Sequence, residues 1–371
     1  MKGREYYLDW IRVLATFGVF LFHCLMFFNP FPWHVKNNIL DTSSILILSL
    51  FLGIWLMPLF FVISGISSAL ALKKRSVSSF LKDRLLRIGV PLILGIFLLS
   101  PPQVYIERVS NGAFNGTFID FFPLYFNGVY LDFGQSGNFA FHGLHLWYLL
   151  VLLVFSLWTA LLIKVLPPSI TFRPVYLALL PLLMFMSGMT TTVALGGWDI
   201  LFYLIVFTAG YYFFSSEDFM HALAKTVKIW IPAAVISTVL VITWFMVSPP
   251  VSGSLAGGIY FLVRTLSCFS IMCCIFFFGK KYLSSSNKLL KYGGEASLPF
   301  YILHQPVIVI IGYFIKDLSW ALPVKLIFLI LMSFAVIWVI YHQLIRRFNI
   351  LRFLFGMKTV TNSKPAVKTA V

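Results

Sequence analysis

The first long apolar segment of the chain contains two side chains that could do chemistry, Arg12 and His23. Ten residues separate them in the run DWIRVLATFGVFLFHCLMF, and eleven positions are close to three turns of an α-helix. Both side chains would therefore project from nearly one face, ~16 Å apart along the helix axis. Because ionisable groups are costly in hydrocarbon, the pair predicts a functional site inside the membrane.

A simpler interpretation of the same residues is purely structural. Asp9 precedes Arg12 by three positions, so the two could form an ion pair at the membrane interface while the arginine extends towards water. His23 would then need only a backbone hydrogen bond. The sequence leaves both interpretations open.

The composition excludes a soluble globular protein. Of 371 residues, 60% are hydrophobic and 11% are charged. The net charge of +16 falls in short basic clusters between apolar runs, so we do not expect nucleic acid as a partner. The four cysteines lie within apolar segments without metal-ligand spacing, and we expect no bound metal or cofactor.

Apolar runs of membrane-spanning length predict an all-α, polytopic integral membrane protein with about ten transmembrane helices. A transmembrane domain would occupy residues 1–345, followed by a basic cytoplasmic tail at 346–371. The expected spans are 8–28, 44–72, 85–101, 145–166, 174–193, 198–214, 228–247, 256–279, 297–316 and 321–343.

The basic residues predict the orientation of these spans. With the N-terminus in the cytoplasm, 22 of the 28 Lys and Arg fall in inner loops and tails, and four fall near the outer side. An excess of this kind marks the cytoplasmic side. An even number of spans then also places the C-terminus there, and the long loop at 102–144 lies outside.

Arg84 and Arg87 stand one helical turn apart, directly before the third span. They could bind an anionic ligand at the inner mouth of the bundle. The alternative is that they serve only as orientation signals, which need no ligand.

Several further polar residues lie within the later spans. Ser297, Tyr301 and His304 have spacings of four and three, which puts them on one stripe of the ninth span. His145 begins the fourth span at a depth similar to that of His23. Arg264 in the eighth span is another intramembrane cation, and the sequence names no partner for it.

These residue types suggest one class of reaction. A histidine near the outer face can take a proton from a hydroxyl that attacks an activated carbonyl, and arginines near the inner face can bind phosphate. His145, Tyr301 and His304 are candidate donors to the oxyanion that would develop. A cytoplasmic phosphate-bearing donor would thus react with an acceptor outside.

Taken in order, these residues resemble the acyltransferase 3 family of polytopic membrane O-acyltransferases. The matching features span nearly the whole chain. They are the Arg12/His23 pair, LFFVISG ending at Gly65, Arg84-Leu-Leu-Arg87, HLWYL at 145–149 and SLPFYILHQP at 297–306. The opening REYYLDWIR, the LHQP segment and the ending LRFLFG resemble the glucan biosynthesis protein C branch.

The resemblance implies acyl-CoA as a co-substrate that enters from the cytoplasm and a carbohydrate hydroxyl as acceptor on the far side of a bacterial inner membrane. It implies that His23 is the catalytic base and that Arg12 helps to hold the donor. Arg84 and Arg87 would meet the CoA phosphates. Transfer could be direct or could pass through an acylated protein, and the resemblance implies nothing about oligomeric state.

Two other functions remain possible at this stage. A transporter or flippase would use buried polar groups as a proton relay, but acidic residues are nearly absent from the centres of the expected spans. A receptor or scaffold without catalysis would leave the stripes of Arg12/His23 and Ser297/Tyr301/His304 unexplained.

Overall fold

The computed structural model describes residues 5–134, 137–162, 165, 170–190 and 192–360. Over these ranges the fold is all-α, apart from one isolated bridge and a hairpin of two strands, β1 (Ala194–Leu195) and β2 (Trp198–Asp199). The helices are α1 (Tyr6–Met26), α2 (Ser44–Leu72), α3 (Val77–Ser110), α4 (Phe118–Leu124), α5 (Trp147–Leu162), α6 (Tyr176–Ser187), α7 (Ile200–Phe214), α8 (Glu217–Val247), α9 (Leu255–Tyr282), α10 (Lys288–Ile315), α11 (Leu322–Ile345) and α12 (Asn349–Leu354).

Within the described residues, eight helical segments are long and apolar enough to cross a membrane, and α6 and α7 are shorter apolar helices. Each of the ten expected spans coincides with one of these ten. The prediction of an all-α polytopic membrane protein is therefore confirmed.

Helix α3 differs most from its expected bounds. The sequence predicted a short span that ends at Pro101-Pro102, whereas the helix continues from Val77 to Ser110. Two π-helical turns, Leu85–Gly89 and Gly95–Leu99, interrupt its α-helical hydrogen bonding. The prolines follow the second turn at the start of a new α-helical segment, where a missing N–H is tolerated.

The interior of the bundle is formed by α2 and α10. In their most apolar stretches 61% and 67% of residues are buried, compared with 17% in the peripheral α8. Helix α1 packs between these two central helices. The helices that carry the predicted site residues are thus in the middle of the bundle.

Both ends of the described chain lie on one face. Asp9 near the start and Lys358 near the end line the same cavity, in agreement with an even number of crossings. Part of the predicted tail is folded, because α12 packs against the middle of α3 and Arg352 donates to Glu295 at 2.7 Å.

Helices α2 and α7 cross in direct backbone contact. A Cβ atom built on Gly65 would lie 2.1 Å from the carbonyl oxygen of Phe207, and one on Gly210 would lie 2.3 Å from that of Val62. Small residues allow such close approach between membrane helices. The segment that ends at Gly65 is therefore required by packing, whatever else it does.

We expect Gly65→Ala to lower the stability of the bundle by about 1–3 kcal/mol, because the added methyl group must push two backbones apart. Thermal unfolding of the detergent-purified protein measures the effect. Gly258→Ala is the matched control, since a Cβ atom at this helical position meets nothing within 4 Å. Equal melting temperatures for the two variants would contradict the close crossing.

Candidate active site

Three histidines from different parts of the chain meet in the bundle. His23 comes from α1, His304 from α10, and His145 from the turn before α5. The ring of His304 lies 4.8 Å from that of His23 and 5.0 Å from that of His145, measured between centroids. His23 Nδ1 and His304 Nε2 are 3.1 Å apart, which is hydrogen-bonding distance.

The hydrogen bonds assign the tautomers of this pair. His304 Nδ1 lies 2.5 Å from the carbonyl oxygen of Tyr301, so this nitrogen carries the proton and Nε2 can accept. His23 Nδ1 faces two acceptors, His304 Nε2 and the carbonyl oxygen of Val19 at 2.9 Å. A neutral His23 therefore carries its proton on Nδ1, and Nε2 is its basic nitrogen.

His23 lines a cavity of about 480 Å³, called the outer cavity because the predicted orientation places this end of α1 outside. His145, Tyr301 and Arg264 also line this cavity, together with the glycine pair between β1 and β2. Most of the remaining wall is apolar and comes from α1, α2, α8 and α9. A substrate in this cavity would meet His23 in largely apolar surroundings.

A second cavity of about 770 Å³, called the inner cavity on the same predicted orientation, has the opposite character. Its charged lining residues are Asp9, Arg12, Arg84, Arg87, Lys291, Glu295, Arg352 and Lys358. Six of these eight are basic, so the cavity is suited to a ligand with several negative charges.

The arginines of the inner cavity are held by hydroxyls and carboxylates. Arg12 donates to the Ser67 hydroxyl at 3.1 Å and lies 3.7 Å from Asp9. Arg84 donates to the Ser68 hydroxyl at 3.1 Å, and among the described residues no carboxylate lies within ion-pair distance of it. Arg84 therefore keeps its charge available to the cavity.

Tyr301 lines both cavities. Its hydroxyl donates to the carbonyl oxygen of His145 at 2.5 Å, and its ring lies 5.9 Å from that of Tyr148. The Tyr148 hydroxyl in turn shares a hydrogen bond of 2.6 Å with Ser64. Tyr301 and Tyr148 thus form a tyrosine layer beside the basic inner cavity, and Tyr301 also borders the histidine-lined outer cavity.

A buried polar network supports the outer half of α10. His34 Nδ1 donates to Glu107 at 2.6 Å, and its Nε2 accepts from Gln305 at 2.9 Å. Gln305 also donates to Gln103 at 3.1 Å. Because Gln305 follows His304 directly, this network restrains the backbone that positions the histidine.

Glu107 connects the network to the outer loop. It accepts from the Tyr130 hydroxyl at 2.8 Å, from Gly134 N–H at 3.0 Å and from Arg108 at 3.2 Å. Burial, and then the charge of Glu107, raises the pKa of Tyr130, so its hydroxyl stays protonated and can donate. The buried carboxylate is fully paired, as such a group must be.

Comparison with known proteins identifies the family. The sequence profile described as "Acyltransferase domain" matches residues 5–342, a range that contains all the predicted site residues. The chain belongs to the acyltransferase 3 family. The predicted membership, and with it the prediction of an acyltransferase, is confirmed.

The curated proteins that this acyltransferase resembles are only distantly similar to it in sequence. It is similar to glucans biosynthesis protein C of Escherichia coli (strain K12), with 29% identity over 154 residues, which cover 41% of this chain and 37% of the relative. The protein of the same name from Salmonella paratyphi B is 28% identical over the same length. The chain thus aligns with well under half of these relatives. No solved structure matches it.

The fold places the predicted site residues of the acyltransferase in two groups. His23 and His145 line the outer cavity, His304 contacts the rings of both, and Tyr301 stands at the junction. Arg12, Arg84 and Arg87 lie together at the inner cavity. The contacts of the simpler interpretation, Arg12 with Asp9 and His23 with Val19, are also present. The arginine and the histidine that make these two contacts also line the cavities, Arg12 the inner one and His23 the outer one.

Some residues of the site were missed by sequence reasoning. His34 lies in a loop without periodicity, and its partner Glu107 is 73 positions away, so no local pattern connects them. Arg352 was assigned to a tail, although it lines the inner cavity. Gln305 did carry a signal, because it lies in the LHQP segment beside His304.

Proposed function

We propose that this protein is an O-acyltransferase that moves an acyl group from cytoplasmic acyl-CoA to a hydroxyl of an extracytoplasmic carbohydrate. The observation that carries the proposal is the pair of cavities, one basic and one lined by histidines, that approach each other at Tyr301. The protein would act in a bacterial inner membrane, with the inner cavity facing the cytoplasm.

The donor would bind in the inner cavity. CoA carries several phosphate charges, and guanidinium groups bind phosphate through charge-assisted, often bidentate hydrogen bonds. Arg84 and Arg87 would contact these phosphates, whereas Arg12 on α1 would contact the donor closer to its thioester. The acyl end would extend past Tyr301 towards His23.

The acceptor would enter the outer cavity with its hydroxyl near His23 Nε2. A neutral imidazole with its Nδ1 proton fixed by hydrogen bonds is oriented to accept a proton at Nε2. The name of the curated relatives, glucans biosynthesis protein C, supports a glucan as acceptor.

In the direct reaction, His23 takes the hydroxyl proton as the acceptor oxygen attacks the thioester carbon. The new C–O bond forms, the C–S bond breaks, and the CoA thiolate recovers a proton from the imidazolium. The histidines serve equally well if an acylated protein residue stands between donor and acceptor. The products in both cases are an ester and free CoA.

His145, Tyr301 and His304 would act as positioning residues. Their N–H or O–H groups already donate to backbone carbonyl oxygens, those of Ile302, His145 and Tyr301 respectively. Donors engaged in this way are not available to an oxyanion in the same geometry. Their predicted role in substrate binding becomes one of holding His23 and the tyrosine layer in place.

We expect His23→Ala to reduce acyl transfer by about 10²–10⁴-fold, because the base for the acceptor hydroxyl is lost. The measurement is transfer of labelled acetyl or succinyl groups from acyl-CoA to glucan by the detergent-purified protein. His221→Ala, at an exposed histidine outside both cavities, is the matched control and should transfer at the wild-type rate.

Retained transfer in His23→Ala would exclude His23 as the base. Unmodified glucan carried across a vesicle membrane by the wild type, with no ester formed, would instead support a transporter.

We expect Arg84→Gln to raise the KM for acyl-CoA by roughly tenfold or more, because a charge-assisted phosphate contact is lost. The same variant should match the wild type with acyl-pantetheine, which lacks the nucleotide phosphates. Arg75→Gln is the control, since Arg75 belongs to the same basic segment but does not line the cavity.

An equal loss with both donors would show that Arg84 supports the fold rather than the phosphates. Unchanged kinetics in Arg84→Gln would favour the role of an orientation signal.

A further inference from the structure

Arg264 is a cation of the outer cavity that the proposed reaction does not use. It lies on α9 within a membrane span and lines the same cavity as His23. A charged side chain at this depth is costly unless it is paired or functional. Its surroundings therefore indicate what it could bind.

The guanidinium of Arg264 forms no ion pair with a described residue, and the Asp199 carboxylate acts on it only from a longer distance. No carboxylate lies within 4.0 Å of it, and none of its N–H groups donates a hydrogen bond to a described residue. Arg264 is half-buried, and its five N–H groups are donors that normally find acceptors. The described residues supply none, although the group faces a cavity large enough for a substrate.

One contact fixes the plane of this guanidinium. Its central carbon lies 3.9 Å from the centroid of the Trp198 ring, a cation–π stack. Trp198 is itself 1% exposed and is stacked on Phe202 at 4.0 Å. Stacking uses the face of the guanidinium, whereas its N–H groups point outward in the plane, so the donors stay free in a defined orientation.

The hairpin between β1 and β2 keeps space beside these donors. Its turn is Gly196-Gly197, and both residues have positive φ, 55° and 86°. A Cβ atom at Gly197 would lie 3.1 Å from Arg264 Nη2, inside ordinary contact distance. A side chain at position 197 would therefore crowd the guanidinium.

We propose that Arg264 is a specificity residue that binds a carboxylate or phosphate group of a substrate in the outer cavity. The planar fork of a stacked arginine matches these anions bidentately. The anionic group can belong to the far end of the transferred acyl group or to the carbohydrate acceptor. This inference rests on the proposed function and extends it to the class of substrate.

Two pairs of substrates distinguish the sources. Succinyl-CoA and butyryl-CoA have acyl chains of the same length and differ by a terminal carboxylate. A neutral oligoglucoside and the same oligoglucoside with one phosphate differ in the acceptor. The quantity to compare is kcat/KM for the anionic substrate divided by kcat/KM for the neutral one. In one of these pairs, Arg264→Gln should lower this ratio on the order of 10²-fold, and Arg264→Lys should lower it less.

The pair that responds identifies the source of the anion. An unchanged ratio in both pairs would overturn the proposal, and so would an equal loss with anionic and neutral substrates, which would assign Arg264 to the fold.

A binding measurement separates this proposal from the transferase itself. Sodium succinate or inorganic phosphate should raise the melting temperature of the wild type, whereas butyramide should not. The anion effect should be smaller in Arg264→Gln, and what remains should come from the basic inner cavity. If the wild type transfers no acyl group but this difference is found, the anion site stands and the proposed function fails. An equal anion effect in wild type and variant would overturn the site.

Discussion

The arrangement of the site depends on one hydrogen bond, between His23 Nδ1 and His304 Nε2, 3.1 Å apart. It joins the first helix of the bundle to the tenth and, with the Tyr301 carbonyl, determines which nitrogen of each ring carries a proton. The network of His34, Glu107 and Gln305 restrains the same stretch of α10 from the outer side. The support of a base by successive hydrogen bonds is a general way to orient an imidazole.

A second constraint is the cost of charge inside a membrane. The bundle places four of its arginines along cavities, where water or an anionic ligand can solvate them. Arg12, Arg84 and Arg87 meet at the inner cavity and Arg264 meets the outer one. Arg12 and His23 are ~16 Å apart along α1, and this is how far the basic cavity and the histidine-lined cavity are separated along that helix. Tyr301 stands between the two.

The sequence was sufficient for the helices and for the stripes on which the candidate residues lie, because hydropathy sets the length of spans and helical spacing sets the stripes. It could not place the end of α3, since prolines after a π-helical turn look like a helix break. It could not pair His34 with Glu107 or stack Arg264 on Trp198, because these contacts join segments far apart in the chain. The close crossing of α2 and α7 at Gly65 could not be predicted either, because the sequence showed only the LFFVISG motif.

The central claim is that donor and acceptor approach the site from opposite faces of the membrane. Reconstituted vesicles test it directly, with the orientation of the protein determined by protease protection of the chain ends. Labelled acyl-CoA is added on the side of the inner cavity, and glucan is placed on the same side or on the opposite one. We expect acylated glucan only where donor and acceptor are separated by the bilayer. Acylation only where both are on the same side would contradict the account.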